Sequence, residues 1–232
     1  MKKGIIILVV AIIVIGGGIG YFQWQKQSAV EVVVSNINPL ELLVFEVKNE
    51  NLSEYQINRD FERFTNSKNR IIELLAAGES WESDNLFHLW LDMASVLKAI
   101  GDYDGAAQLW IWFNDAYIHN SVSPANLGNL YKSFVVDRDK SEYYYKMAVE
   151  RDDRDWHIYY GFYELYRYNF EDADRALDVL RDGYGKNPDQ INYVIEMANY
   201  LIILERIDEA SDVIEEYVVR HPEADHLRDR LK

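Results

Sequence analysis

From Phe87 to Pro222 the apolar residues fall at helical spacing, broken by short polar turns of one kind: Gly101-Asp102-Tyr103-Asp104-Gly105-Ala106, Asn169-Phe170-Glu171-Asp172-Ala173 and Arg206-Ile207-Asp208-Glu209-Ala210. Each turn closes on an alanine that has a small residue twelve positions before it: Ala94 before Ala106, Gly161 before Ala173, Ala198 before Ala210. With Gly128 the small positions run 94, 128, 161 and 198, at intervals of 34, 33 and 37 residues. Repeats of that length predict a helical solenoid, each unit a pair of antiparallel helices. The small residues have a physical reason, because two helices joined by a tight turn approach closely only where facing positions lack bulk.

At these positions the chain resembles the tetratricopeptide repeat (TPR) family. Residues 191–222 carry the resemblance best, with Val194, Met197, Ala198, Leu201, Ile207, Ala210, Ile214 and Pro222 in the family's order. The unit beginning at Phe87 matches through Trp90, Met93, Ala94, Leu97, Tyr103, Ala106 and Trp110. The second unit fits at Leu127, Gly128 and Tyr131, then has a turn one residue too long, Val135 to Lys140, before Ser141, Tyr145 and Ala148 return to register. The third fits at Gly161, Phe170, Ala173 and Leu177, with a second helix expected to run three residues longer than the family's, to the region of Gly183 and Pro188. The resemblance implies an all-α, TPR-like α-solenoid of about four helix-turn-helix repeats over residues 86–222. Residues 223–232, short and heavily charged, are expected to form a helix capping the last repeat.

The N-terminal pattern is different. Met1-Lys2-Lys3 precedes an uncharged apolar run from Gly4 to Phe22, nineteen residues long, close to the roughly 20 that a helix needs to cross a bilayer core. Tyr21, Phe22 and Trp24 follow at the depth where aromatic rings favour the headgroup layer. Residues 1–25 are therefore expected to form an uncleaved, single-pass transmembrane helix, the alternative being a cleaved secretory signal. Lys2 and Lys3 favour a cytoplasmic N-terminus, which puts the remainder on the outer side of the cytoplasmic membrane. The opposite insertion would leave a cytoplasmic scaffold.

Residues 26–85 read as a linker and helical lead-in. Val30 to Val34 has the character of a short extended piece, Asn38-Pro39 that of a helix start with Leu40, Leu43, Val44 and Val47 on one face. Ser53-Glu54-Tyr55-Gln56 has capping-box form. Ile57, Phe61, Phe64, Ile71 and Leu75 then predict one long helix over 54–77, with a break foreseen at Thr65-Asn66-Ser67.

Beyond the two N-terminal lysines the chain has 22 basic and 39 acidic residues, a net of −17. Such a segment is repelled by nucleic acid and anionic lipid, so nucleic-acid binding is excluded. Chemistry is sparse. The five histidines form no i, i+4 pair and cysteine is absent. Asp137, Asp139 and Ser141 imitate the start of a calcium loop, but Glu142 stands where Gly is needed and Ala148 where the bidentate Glu belongs. No catalytic residue, metal site or cofactor is expected, and the chain reads as a non-enzyme.

In a TPR solenoid the first helix of each pair lines the inner face. Carried over position by position, the resemblance puts His88, Ser95 and Lys98 there from the first unit, Asn129 and Lys132 from the second, Phe162 and Tyr166 from the third, and Asn192 and Asn199 from the fourth. Asn and Lys can hold a peptide's backbone and carboxylates, though Leu91, Ala125, Ile158 and Ile195 stand where the family's carboxylate clamp needs bases. These features give a membrane-anchored interaction scaffold for protein or peptide partners of the membrane or envelope, touching the lipid bilayer through its N-terminal helix. The competing reading is a glycan or cell-wall binding module using exposed aromatics from runs such as Tyr143-Tyr144-Tyr145 and Tyr159-Tyr160.

Overall fold

Four short turns set the architecture. In the computed structural model, which describes residues 39–231, one residue in each turn has a left-handed backbone: Gly101 (φ 86°), Val136 (57°), Glu171 (56°) and Glu205 (62°), spaced 35, 35 and 34 residues apart. Each ends the first helix of a hairpin and lets the chain reverse into the second. The expected membrane helix, the extended piece at 30–34 and the rest of the linker before Pro39 lie outside the described residues. Among the described residues no helix is long and apolar enough to cross a membrane.

Nine α-helices are described. Helix α1 (Glu54–Ala76) is followed by the hairpins α2 (Asp84–Ala99) with α3 (Tyr103–Ala116), α4 (Val122–Ser133) with α5 (Arg138–Arg151), α6 (Trp156–Glu164) with α7 (Ala173–Lys186), and α8 (Ile191–Ile203) with α9 (Ile207–Arg220). The pairs stack into a TPR-like, all-helical solenoid. All four second helices have 14 residues. The longer second helix expected in the third hairpin is thus corrected: its extra length lies in the first helix, where α6 runs on as a π-helix, Leu165–Phe170. Asp102, Asp137 and Asp172 cap α3, α5 and α7 by accepting from backbone N–H groups of the first turn.

The core is built from rings. Tyr145 of α5, 2% exposed, lies between two glycines: a Cβ at Gly128 of α4 would come within 2.9 Å of its ring, and one at Gly161 of α6 within 2.6 Å of its hydroxyl. Here glycine is required for close approach on both sides. Ser141 ties the hairpin by donating to the Gly128 carbonyl (2.8 Å), and Ser123 ties successive hairpins by donating to the Trp110 carbonyl (2.6 Å). Trp90, Trp110 and Tyr193 are fully buried.

Both ends are covered. The capping box at Ser53 and Gln56 forms as expected, and α1 runs unbroken through Thr65-Asn66-Ser67. The helix expected from Pro39 is instead one 3₁₀ turn, Pro39–Leu42, followed by a strap without regular secondary structure. The strap is held from outside itself: Phe45 packs edge-on against Phe61 and Phe64 at 5.2 and 5.3 Å, and the Lys48 and Asn49 N–H groups donate to the Ile100 carbonyl at 2.8 and 2.9 Å. At the other end residues Pro222–Leu231 form 3₁₀ turns rather than an α-helix, burying Ala224 and Leu227 while Arg228 forks onto Glu215 with two bonds of 2.6 Å.

Candidate protein-binding groove

The first and second helices present different faces. First helices α4 and α6 pack directly on each other, whereas second helices α5 and α7 stand apart around a slot of about 260 Å³. Between the second and third hairpins the closely packed, inner side is therefore that of α4 and α6.

Its register follows from the turns. Gly128 stands eight residues before left-handed Val136, and the residue eight before left-handed Glu171 is Tyr163, not Gly161. Gly161 faces back onto Tyr145 of the preceding hairpin, so the small residue is real but serves a different contact. Counting from Gly161 turns α6 by two residues, more than half a helical turn. This explains the correction at Phe162 and Tyr166. Both are buried, Phe162 stacked on Tyr145 at 5.7 Å and Tyr166 donating its hydroxyl to Glu142 at 2.8 Å. With Tyr159 they floor the slot between α5 and α7, away from the inner face. Burial drives the Tyr166 hydroxyl up to about 12, reinforced by its bond to Glu142.

Four residues after Ala94, Gly128 and Tyr163 stand three cations: Lys98 on α2, Lys132 on α4 and Arg167 on the π extension of α6. Lys132 is buried, not open to solvent, and its ammonium meets Glu164 of the next first helix at 2.6 Å while lying over the Tyr145 ring. Arg167 reaches Glu196 of α8 at 3.3 Å, also bonds the Tyr163 hydroxyl, and stacks over Tyr168 and Tyr200 at 4.8 and 4.5 Å. Two rungs of the ladder are closed within the chain.

The rung at Lys98 is open. Its ammonium lies between the rings of Trp110 (5.8 Å) and Phe134 (5.6 Å), and it has no carboxylate partner among the described residues. Burial lowers its pKa. The counterpart of Glu164 on α4 is Asn129, whose side chain hydrogen-bonds the Tyr145 hydroxyl instead. Elsewhere His88 and Asn192 are exposed, Ser95 spends its hydroxyl on the Leu91 carbonyl at 2.8 Å, and Asn199 accepts from Arg230 of the C-terminal cap at 2.9 Å. Sequence reasoning missed Glu164, Arg167 and Glu196; the 35-residue step of the turns, from Asn129 and Lys132, is a signal that finds the first two.

Most large aromatic residues are core: Trp90, Trp110 and Trp112 are buried, Trp156 is half-buried, and Trp81 is at the exposed margin. Among the described residues no three His, Cys, Asp or Glu side chains are grouped to hold a metal ion.

The helical hairpins and ladder define a TPR-like repeat protein. No protein-family model matches the chain, and no curated protein sequence does. Among solved structures it is similar to the crystal structure of MamA protein, at 18% identity and a TM-score of 0.45, covering 62% of this chain and 85% of that one. It is also similar to MamA MSR-1 C2, at 14% identity and a TM-score of 0.43, covering 77% of this chain and 97% of that one. Likeness at this level carries no weight for function.

Proposed function

We propose that this chain is a membrane-anchored interaction scaffold whose inner face binds a protein or peptide through a carboxylate seated on Lys98. The observation that carries the reading is the open rung: Lys132 and Arg167 have carboxylates from the next helix, and Lys98 has two aromatic walls and none. A half-buried ammonium that has already lost part of its hydration gains more from an incoming carboxylate than a surface lysine does. His88, exposed on the same helix, completes the contact surface. The anchor, read from the apolar run Gly4 to Phe22, holds the groove at the outer face of the cytoplasmic membrane and raises its effective concentration toward membrane partners.

The test is in-cell cross-linking followed by identification of what co-purifies from membranes. Lys98→Glu removes the cation, and Asn129→Glu installs the missing carboxylate so that Lys98 pairs internally. Both are expected to lose the same discrete set of proteins with helicity unchanged. A set retained by both variants overturns the groove. Digestion by protease added outside intact cells checks the orientation, since only an outward solenoid is cut.

A further inference from the structure

The turns of the second, third and fourth hairpins share one edge of the solenoid, and large apolar side chains on that edge meet water. Phe134, Val135 and Val136 are 43, 43 and 63% exposed, Tyr168 60%, Ile203 62% and Ile207 46%. Contacts between turns show that they adjoin: Tyr103 against Phe134 at 5.2 Å, Asn169 donating to the Lys132 carbonyl at 3.0 Å, and Arg206 on Asp174 at 3.0 Å. Among these side chains acid outnumbers base. Lys140, Arg175 and Arg206 are matched to Asp137, Asp172, Asp174 and Glu209, exposed Arg138 lies over the Phe170 ring at 6.0 Å, and exposed Asp139, Glu171, Glu205 and Asp208 have no ion pair among the described residues.

The first hairpin shows what such an edge takes. There the strap lies across the turn, its Lys48 ammonium on the N-cap carboxylate of Asp102 at 2.6 Å and its backbone on the Ile100 carbonyl. Gly101 permits this, since a Cβ would stand 2.8 Å from the Asn49 nitrogen. The equivalent positions carry Val136, Glu171 and Glu205, which bear a Cβ where Gly101 has none, and all three are exposed. A left-handed conformation costs a side-chain-bearing residue about 1–2 kcal/mol, most for a β-branched one such as Val136. None of the three side chains gains an internal hydrogen bond or ion pair in return.

We infer that the turn edge of hairpins two to four is a second docking surface, fitted to a basic and apolar segment of a partner protein. Exposed Val136, Tyr168, Ile203 and Ile207 supply the apolar contact, and the unmatched carboxylates select for Lys or Arg. It adjoins the inner face at Phe134, one wall of the Lys98 rung, and at Tyr168, which lies under Arg167, but does not use the Lys98 ammonium.

The full chain in nonionic detergent is titrated into a fluorescent peptide alternating Lys with Val and Leu, and into its Glu-for-Lys counterpart, with empty micelles as the blank. The Lys peptide is expected to bind above the blank and the Glu peptide not. The triple variant Val136→Gly, Glu171→Gly, Glu205→Gly is expected to melt higher than the parent, because left-handed strain is relieved, and to bind the Lys peptide about tenfold more weakly. Lys98→Glu should leave that binding unchanged. Absence of binding by the parent overturns the inference, as does equal binding by the triple variant. Loss with Lys98→Glu alone assigns the peptide to the groove and overturns it equally.

Discussion

The outer hairpins, first and fourth, reverse by a tighter route than the inner two. In the first and fourth, the residue after the left-handed position bonds five residues back, Asp102 to Leu97 and Arg206 to Leu201; in the second and third it bonds six back, Asp137 to Tyr131 and Asp172 to Tyr166. The wider closure absorbs one residue, and the second helices emerge with the same 14-residue length in all four. What differs is the face shown by the first helix of the third hairpin, which buries Phe162 and Tyr166 and turns Glu164 and Arg167 toward the neighbouring first helices. A hairpin repeat thus tolerates insertion at its turn with little change in architecture while its recognition surface is rewritten.

If the inner hairpins share one core through Tyr145, removing that ring has the largest effect. Tyr145→Ala should cost about 3–5 kcal/mol, because two glycine-lined helix faces cannot collapse into the space left. Chemical denaturation of the full chain measures it. A loss under about 1 kcal/mol, what the bond to Asn129 alone is worth, would mean that the ring does not join the two hairpins.

The closed rungs come next. Glu164→Ala leaves the buried Lys132 ammonium unpaired and is expected to destabilise by about 2 kcal/mol, less than a fully buried pair because Glu164 is partly solvated. Lys132→Met in the Glu164→Ala background should recover most of the loss. Failure to recover would show that Lys132 does not depend on Glu164.

Much of this architecture was legible in the sequence. Small residues at Ala94, Gly128 and Ala198, with Asp-rich turns after them, mark the hairpins because close helix approach and capping leave few residue choices. Gly161 misled because glycine also serves the contact with the preceding hairpin, and nothing in its own neighbourhood says which ring it meets. The strap was illegible for a related reason: Leu43, Val44 and Val47 read equally as a helical face, and the groups that hold the segment, Lys68 on the Leu43 carbonyl at 2.7 Å and the Ile100 carbonyl under Lys48 and Asn49, lie far along the chain. Of the proposed groove, His88 and Lys98 come from the well-matched first unit, whereas Glu164 and Arg167 require the register that the π-helix alters.

Strain at the turns sharpens the contrast on a smaller scale. Val136→Gly should raise stability by about 1 kcal/mol, since glycine adopts the left-handed backbone without penalty and Val136 is largely exposed. Gly101→Ala should do the reverse, adding left-handed strain and a Cβ pressed on the strap at Asn49. Thermal midpoints of the two variants moving in the same direction would contradict the assignment of the strap to the first turn alone.

The smallest expected effect is electrostatic and sits in the slot that the inner hairpins open. Burial opposes the charge on Glu142, yet hydrogen bonds from Lys146 and Tyr166 outweigh it and hold its carboxyl below the ordinary value. A carboxyl whose folded pKa lies below its unfolded one adds stability that is complete above the unfolded value, about 4.3 for Glu, and is lost as pH falls through the folded value. Unfolding should therefore be easier at pH 3 than at pH 6 by an amount that shrinks in Tyr166→Phe, where one of the donors is gone. The parallel change Tyr163→Phe removes a hydroxyl that donates to Glu196 on the inner face and should leave the Glu142 contribution intact. Equal acid sensitivity in parent and Tyr166→Phe would separate Tyr166 from Glu142, and with it the slot-facing register of α6 on which the inner-face ladder depends.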